Sequence, residues 1–332
     1  MFTLLIRRCS KLFVGCASYL SDRTDVLTIL VVLVLVGAGS SLCVGQELAA
    51  DSDSATTYVL IRSDDLGMNH AKNLANRMAL ELGLPMSVSV MFACPWYQEA
   101  VEILRDHPDV AVGIHLTLNA EWRNYRWGPV AGRGRVPSLV DSLGYFHPTR
   151  GAFLSADPQV EEVEIELRAQ IDRALATGLT IDYFDYHMGA AVSTPEFRSL
   201  VERLAREYGV GIPRYFSEAD PSNHYFAEPK DKLDSLLVAI DRIEPGTLNL
   251  LVFHLGLETP EMDALIDMNA IGPKNMSSHR FAELKAIGSD RFRRSLEDGG
   301  YRLITYRDLI RMRGLDSMVS PEEAAYAPPP GP

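Results

Sequence analysis

Apolar and polar positions alternate along this chain in two rhythms. Short β-branched or aromatic runs predict seven strands: YVLIRS (58–63), SVSVMF (87–92), VAVGIHLTL (110–118), IDYFDYH (181–187), VGIPRYF (210–216), LNLLVFHL (248–255) and YRLITY (301–306). Between them, longer stretches with apolar residues three and four apart predict helices over 70–82, 97–106, 158–177, 195–208, 230–243 and 289–298. In the first of these, Ala71, Leu74, Ala75, Met78 and Leu82 share one face. The fourth has a full start signal, with Thr194 as cap, Pro195 at the first helical position and Glu196 in the first turn. Strands alternating with helices build βαβ units and a mostly parallel sheet. The predicted class is therefore α/β, a (β/α) barrel that is distorted or incomplete, with an open doubly wound sheet as the alternative.

The two ends break the pattern. Basic residues (Arg7, Arg8, Lys11, Arg23) precede the apolar run VLTILVVLVLV (26–36) and the small-residue stretch GAGSSLCVG, the order of a secretory signal. The uncharged segment 26–46, roughly 21 residues, also meets the length of a membrane anchor. Residues 1–50 are thus read as signal peptide or anchor, and both readings place the body outside the cytoplasm, exported or membrane-attached. The body spans 57–315. Residues 316–332, acidic and then Pro-rich, are read as a disordered tail. Between 121 and 156 lies a stretch rich in Gly, Arg and aromatics with little periodicity, long enough to point to function.

Composition narrows the chemistry. Of 332 residues 47% are hydrophobic, so a sizeable core is available, and the formal charge of −12 lacks the basic footprint that nucleic acid demands. Of four cysteines only Cys94 lies in the body, which excludes a disulfide framework there and reads as a small buried hydrophobe.

Carboxylates and imidazoles collect where strands end. Asp64 and Asp65 close the first strand, His115 lies near the end of the third, Asp185 and His187 end the fourth, and His254 ends the sixth. Each alone has an ordinary explanation: a turn or helix cap for the Asp pair, a rim histidine for the others. Their shared placement is the signal, because sites in parallel α/β sheets gather at the carboxyl ends of strands. Asp65, His115 and His187 form a carboxylate–imidazole–imidazole set suited to a divalent metal with open positions. Asp64 is then the candidate base, His254 the candidate acid, and Asp185 a residue behind the ligands that holds a histidine, His187, in its tautomer. Trp122, Tyr125, Arg126 and Trp127 are either loop packing or a platform for a sugar. Zn²⁺ suits the two imidazoles, and the same ligand set also fits a non-haem iron oxygenase, against which the adjacent Asp64 argues.

The motifs SDDLG (63–67), GIHLTL (113–118), DYFDYHMG (182–189) and FHLG (253–256), in this order, resemble those of the YdjC-like carbohydrate deacetylases. The likeness extends over roughly 57–315, including VPSLVDSLGYF (136–146) and YRLITYRDL (301–309). It implies a distorted (β/α) barrel that removes acetyl groups from N-acetylated sugars with a divalent metal, Mg²⁺ by family habit. The metal ligands carry over onto Asp65, His115 and His187, the base onto Asp64 and the acid onto His254. Two departures stand out: Gly189 and Ala191 replace histidines that often follow at the fourth strand, and Leu255 stands where Pro is usual. A sugar-binding protein without catalysis is the remaining alternative.

Overall fold

The computed structural model describes residues 56–321, apart from 222, 223 and 271; the predicted leader and the end of the Pro-rich tail lie outside them. Six strands form one sheet: β1 Tyr58–Leu66, β2 Ser87–Val90, β3 Ala111–Leu116, β4 Tyr183–Tyr186, β5 Leu248–Phe253 and β6 Arg302–Ile304. The principal helices are α1 His70–Leu80, α2 Tyr97–Arg105, α3 Arg150–Ser155, α4 Val160–Leu175, α5 Pro195–Tyr208, α6 Lys232–Ile240, α7 Pro260–Asp263, α8 Met276–Ile287, α9 Asp290–Asp298 and α10 Tyr306–Arg313. At α5 the start signal works as read: Thr194 accepts the Phe197 N–H at 3.2 Å, with Pro195 at the first turn. Among the described residues no helix is long and apolar enough to cross a membrane.

Every ladder is parallel, in the order β4-β3-β2-β1-β5. A doubly wound sheet also sets a later strand beside β1, so the distinction lies at β4 and β5, whose facing edges the chain bridges. Since β5 covers one edge of β1, β6 and β2 share the other end to end, β6 beside Tyr58–Leu60 and β2 beside Arg62–Leu66. The remaining gap between β4 and β5 is where the expected strand over 210–216 belongs. No strand forms there. Gly211 bridges to Tyr183 of β4, and Ala219 bridges to Asn249 of β5. Between these points Pro213 supplies no N–H, Arg214 and Ser217 adopt φ of 71° and 63°, and the Glu218 carboxylate accepts the N–H groups of Arg214 and Phe216. The result is a distorted α/β barrel closed by single bridges rather than by a seventh strand.

The sheet separates two apolar layers. Tyr58, Leu60, Tyr183, Leu248, Leu250, Ile304 and Tyr306 form the interior plug, while Val59, Ile61, Val88, Val112 and Leu251 belong to the larger cluster under the helices. Following β1 inward, Tyr58 and Leu60 give way to Arg62 and then Asp64, so the plug grades into polar residues toward the strand ends. The buried face of α1 differs from the expected one. Ala71, Ala75 and Ala79 point inward, but so do Lys72, Asn73 and Asn76, while Met78 is exposed. Those polar residues are bonded: Asn73, for example, accepts the Gly67 N–H at 2.7 Å and donates to Glu99. His224 is buried in a short helical turn and His279 within α8. Cys94 is buried and free. The start of the predicted tail stays on the domain, where the Val319 N–H donates to the Tyr215 carbonyl at 2.9 Å.

Candidate active site

A regular strand sends consecutive side chains to opposite faces, so two adjacent aspartates cannot serve one cavity without a local device. β1 has one. Its register against β2 shifts between Ser63 and Leu66, and Asp65 takes a φ of 65°. Aspartate is among the residues that tolerate this left-handed conformation, and such bulges re-aim side chains. Asp64 and Asp65 consequently line the same cavity of about 280 Å³, together with His115, Glu121, Trp122, Asp185, His187 and His254. The strand ends thus bring together every expected polar residue except the long-loop candidates, which divide as described below.

Three donor atoms converge at its base. Asp65 Oδ1 lies 3.4 Å from His115 Nε2 and 3.2 Å from His187 Nδ1, and the two ring nitrogens are 3.3 Å apart. Bonds of about 2.1 Å to one ion, at tetrahedral or octahedral angles, separate ligands by about 3.0–3.4 Å. Asp65 Oδ1 is buried and makes no well-formed hydrogen bond, while Lys72 Nζ holds the other oxygen at 3.0 Å. One carboxylate oxygen and two imidazoles therefore fit a divalent cation, with Asp65 bound through a single oxygen. Burial opposes ionisation of Asp65, but Lys72 and the two imidazoles outweigh it and hold its carboxyl well below the usual range. For the rings, burial again opposes charge. Asp185 overcomes it at His115 and raises that group to about 9; Glu121 and Asp65 raise His187 to about 10. Cation binding at these nitrogens is accordingly coupled to proton release.

Each imidazole is held from its far side by a different carboxylate. Asp185 was expected behind His187; it instead accepts from His115 Nδ1 at 2.9 Å, because His115 and Asp185 are directly paired across β3 and β4. His187 turns its Nε2 to Glu121 Oε2 at 2.9 Å. Asp64, His115 and Asp185 also lie close enough together to suggest a second cation site. A cation is already there: Arg62 grips both oxygens of Asp64 at 2.7 and 2.8 Å and reaches Asp185 at 3.3 Å. Burial nevertheless leaves the Asp64 carboxyl raised from its ordinary value, with Arg62 opposing and Asp185 reinforcing the rise. His254 Nε2 stands 3.9 Å from Asp64 Oδ2. Burial first, and then Arg280, keep that ring well below ordinary imidazole basicity.

The aromatic stretch divides. Trp122 lines the cavity, and its Nε1 is a buried donor without a partner among the described residues. Trp127 donates to the Asn119 carbonyl and packs edge-on to the His187 ring, with centroids 6.2 Å apart. Tyr125 donates to the Met68 carbonyl. Arg126 is turned away onto Asp141 at 2.6 Å and the Phe146 carbonyl. Tyr125, Arg126 and Trp127 thus pack the loop and do not line the cavity.

Arg62, Lys72 and Glu121 belong to the site and were not foreseen. Arg62 reads as an ordinary polar position in a strand, and Lys72 as an exposed helix residue. Glu121 opens a stretch without periodicity.

A distorted α/β barrel with a buried Asp–His–His set, flanked by a second aspartate and a third histidine, defines a barrel protein with a candidate metal centre of hydrolytic type. The family model described as YdjC-like protein matches residues 58–298, and the chain belongs to that family. Among curated relatives, a protein of Geobacillus stearothermophilus named carbohydrate deacetylase is 28% identical over 265 residues, covering 77% of this chain and 99% of its own. One of the same name from Brevibacillus brevis is 25% identical, covering 76% and 99%. Among solved structures, a candidate cellobiose-phosphate cleavage protein from Enterococcus faecalis V583 shares the fold, with a TM-score of 0.64 and 22% identity over 76% of this chain and 99% of that one.

Proposed function

We propose that this protein is a metal-dependent carbohydrate deacetylase that hydrolyses the N-acetyl amide of an amino sugar. The observation that carries the reading is the convergence of Asp65 Oδ1, His115 Nε2 and His187 Nδ1 beside a carboxylate that is not one of the three. Relatives matched over nearly their whole length bear the name carbohydrate deacetylase. Asp65, His115 and His187 would hold a divalent cation, Mg²⁺ or Zn²⁺, which would supply Lewis acidity toward the acetyl carbonyl and the attacking water.

The chain's own groups divide the remaining work. Asp64 takes the proton of the attacking water; its raised pKa makes it a better base than an exposed aspartate. Arg62 keeps that carboxylate in place through two bonds. His254, whose Nε2 lies 3.9 Å from Asp64 Oδ2, takes that proton from Asp64 and delivers it to the leaving nitrogen, which frees Asp64 again. The ring's low basicity makes the imidazolium, once formed, a strong acid that does not retain the proton. Water adds oxygen to the acetyl carbon, the C–N bond breaks, and acetate and a free amine leave. Trp122 faces the bound sugar. A base beside the ligand set serves hydrolysis and has no task in dioxygen activation, which favours this reading over an iron oxygenase. The segment 1–50, read as signal peptide or anchor, favours a reaction outside the cytoplasm.

The test is acetate release from N-acetylglucosamine oligomers by the full chain, metal-stripped and then with Mg²⁺, Zn²⁺ or Mn²⁺ restored. Acetate is expected only with metal, and is expected to disappear in Asp64→Asn and His187→Ala. Acetate release at full rate by the stripped protein, or by Asp64→Asn with metal, would remove the reading.

A further inference from the structure

His187 has little backbone to hold its ring. It lies just past β4, and the next two residues turn the chain with φ of 51° at Met188 and 70° at Gly189. An imidazole so placed can offer either nitrogen to a ligand. What selects one here is Glu121, 4% exposed, whose Oε2 accepts from Nε2 at 2.9 Å and leaves Nδ1 facing Asp65.

The segment carrying Glu121 is itself clamped. The Ala120 N–H donates to the His147 carbonyl at 2.9 Å, the Met268 N–H to the Glu121 carbonyl at 2.9 Å, and the Arg123 N–H to the Ile266 carbonyl at 3.0 Å. Trp122 pairs antiparallel with Asp267 within the same short ribbon. A carboxylate on a braced segment can fix a ring; one on a free loop cannot. Trp127 closes the side of the ring.

We infer that Glu121 is a positioning residue, selecting Nδ1 of His187 as the metal-binding nitrogen, as Asp185 selects Nε2 of His115. The inference rests on the reading of Asp65, His115 and His187 as a metal centre. It assigns the aromatic stretch a task in metal affinity, apart from any contact with sugar.

The experiment is calorimetric titration of the metal-stripped full chain with Zn²⁺, using wild type, Glu121→Gln and Glu121→Ala, with near-UV circular dichroism to establish folding. Removing such an outer partner typically weakens metal binding about 10–100-fold, and Glu121→Ala is expected in that range. Glu121→Gln, whose amide oxygen still accepts the ring N–H, is expected between it and wild type. Ring ¹⁵N NMR of the zinc-loaded wild type is expected to place the His187 proton on Nε2 and the His115 proton on Nδ1. Wild type without zinc affinity would overturn the metal reading and the inference with it. Zinc bound by wild type and, equally tightly, by folded Glu121→Ala would overturn the inference alone. Should Glu121→Ala not fold, a wild-type spectrum with the His187 proton on Nδ1 does the same.

Discussion

Arg62 holds both carboxylate oxygens of Asp64, at 2.7 and 2.8 Å, and the two side chains are 6% and 5% exposed. The guanidinium also faces Asp185 at 3.3 Å, so one buried cation offsets two buried carboxylates. Removing one partner of a buried ion pair costs about 3–5 kcal/mol, because the stranded charge stays in the interior. Arg62→Met is expected to lose stability on that scale, read as a lower urea midpoint. Arg62→Lys keeps the charge but not the planar fork, and is expected to fold while losing most of kcat. Wild-type kcat in Arg62→Lys would show that Asp64 needs no orientation.

Beneath this layer the packing leaves no slack at Gly113. A Cβ built there meets three Tyr183 ring atoms at 2.1, 2.4 and 2.5 Å. The ring cannot swing away freely, being packed at a 42° tilt against Tyr306 with centroids 4.7 Å apart and bonded through its hydroxyl to Ser89. Overpacking a filled core costs about 1–3 kcal/mol, and Gly113→Ala is expected at the upper end. Because Ser89 also donates to Asp185, the strain reaches the group behind His115, and activity is expected to fall with stability. Adding Tyr183→Leu is expected to recover part of the loss, a non-additivity that a double-mutant cycle measures.

The site was legible where the sequence rhythm ends in a polar residue. Asp65, His115, His187 and His254 follow apolar runs, and a parallel barrel gathers strand ends on one rim. What stayed hidden lies across strands or on the inward side of a helix. His115 opposite Asp185 is a matter of register, which no local pattern encodes. Lys72 is buried because its charge meets Asp65, a contact that reads in sequence as a surface lysine on an amphipathic helix. The missing seventh strand has the opposite cause. The run VGIPRYF carries strand-forming residues, but Pro213 and the Glu218 carboxylate take its backbone out of the ladder.

Trp122 and Arg126 are expected to separate binding from packing. Trp122 lines the cavity and has a buried indole N–H without a partner among the described residues, whereas Arg126 is spent on Asp141 and the Phe146 carbonyl. Trp122→Phe keeps an aromatic side chain and deletes the donor, so KM for an N-acetylated sugar is expected to rise several-fold, while the smaller ring at a buried position also lowers the unfolding midpoint. Arg126→Met is expected to lower the midpoint with KM unaltered. The opposite pattern in steady-state kinetics would place the sugar against the loop instead.

Glu283 gives stability a dependence on acid. Its carboxylate is buried between Arg280 Nη1 and Lys232 Nζ, each at 3.2 Å, and accepts the His254 backbone N–H at 2.6 Å. The His254 ring and the buried His224 ring are further titratable neighbours. Burial alone would raise the carboxyl, but Arg280 and then Lys232 overcome it and bring it from 4.5 to about 2. A depressed folded pKa means that the unfolded chain binds the proton first as pH falls. The stabilisation is therefore complete above about pH 5, shrinks as pH drops through 4.5, and is gone below the folded value near 2. In Glu283→Gln the deficit at pH 7 is expected at about 3–5 kcal/mol, the scale for a broken buried pair. Urea midpoints of both proteins at pH 7, 5, 4 and 3 are expected to differ by a constant amount down to pH 5 and to converge below it. Comparing the two cancels the titration of every other carboxylate they share. A gap that stays constant to pH 3 would mean that the carboxylate at Glu283 titrates alike in the folded and unfolded chains, and that the two cations do not hold it ionised.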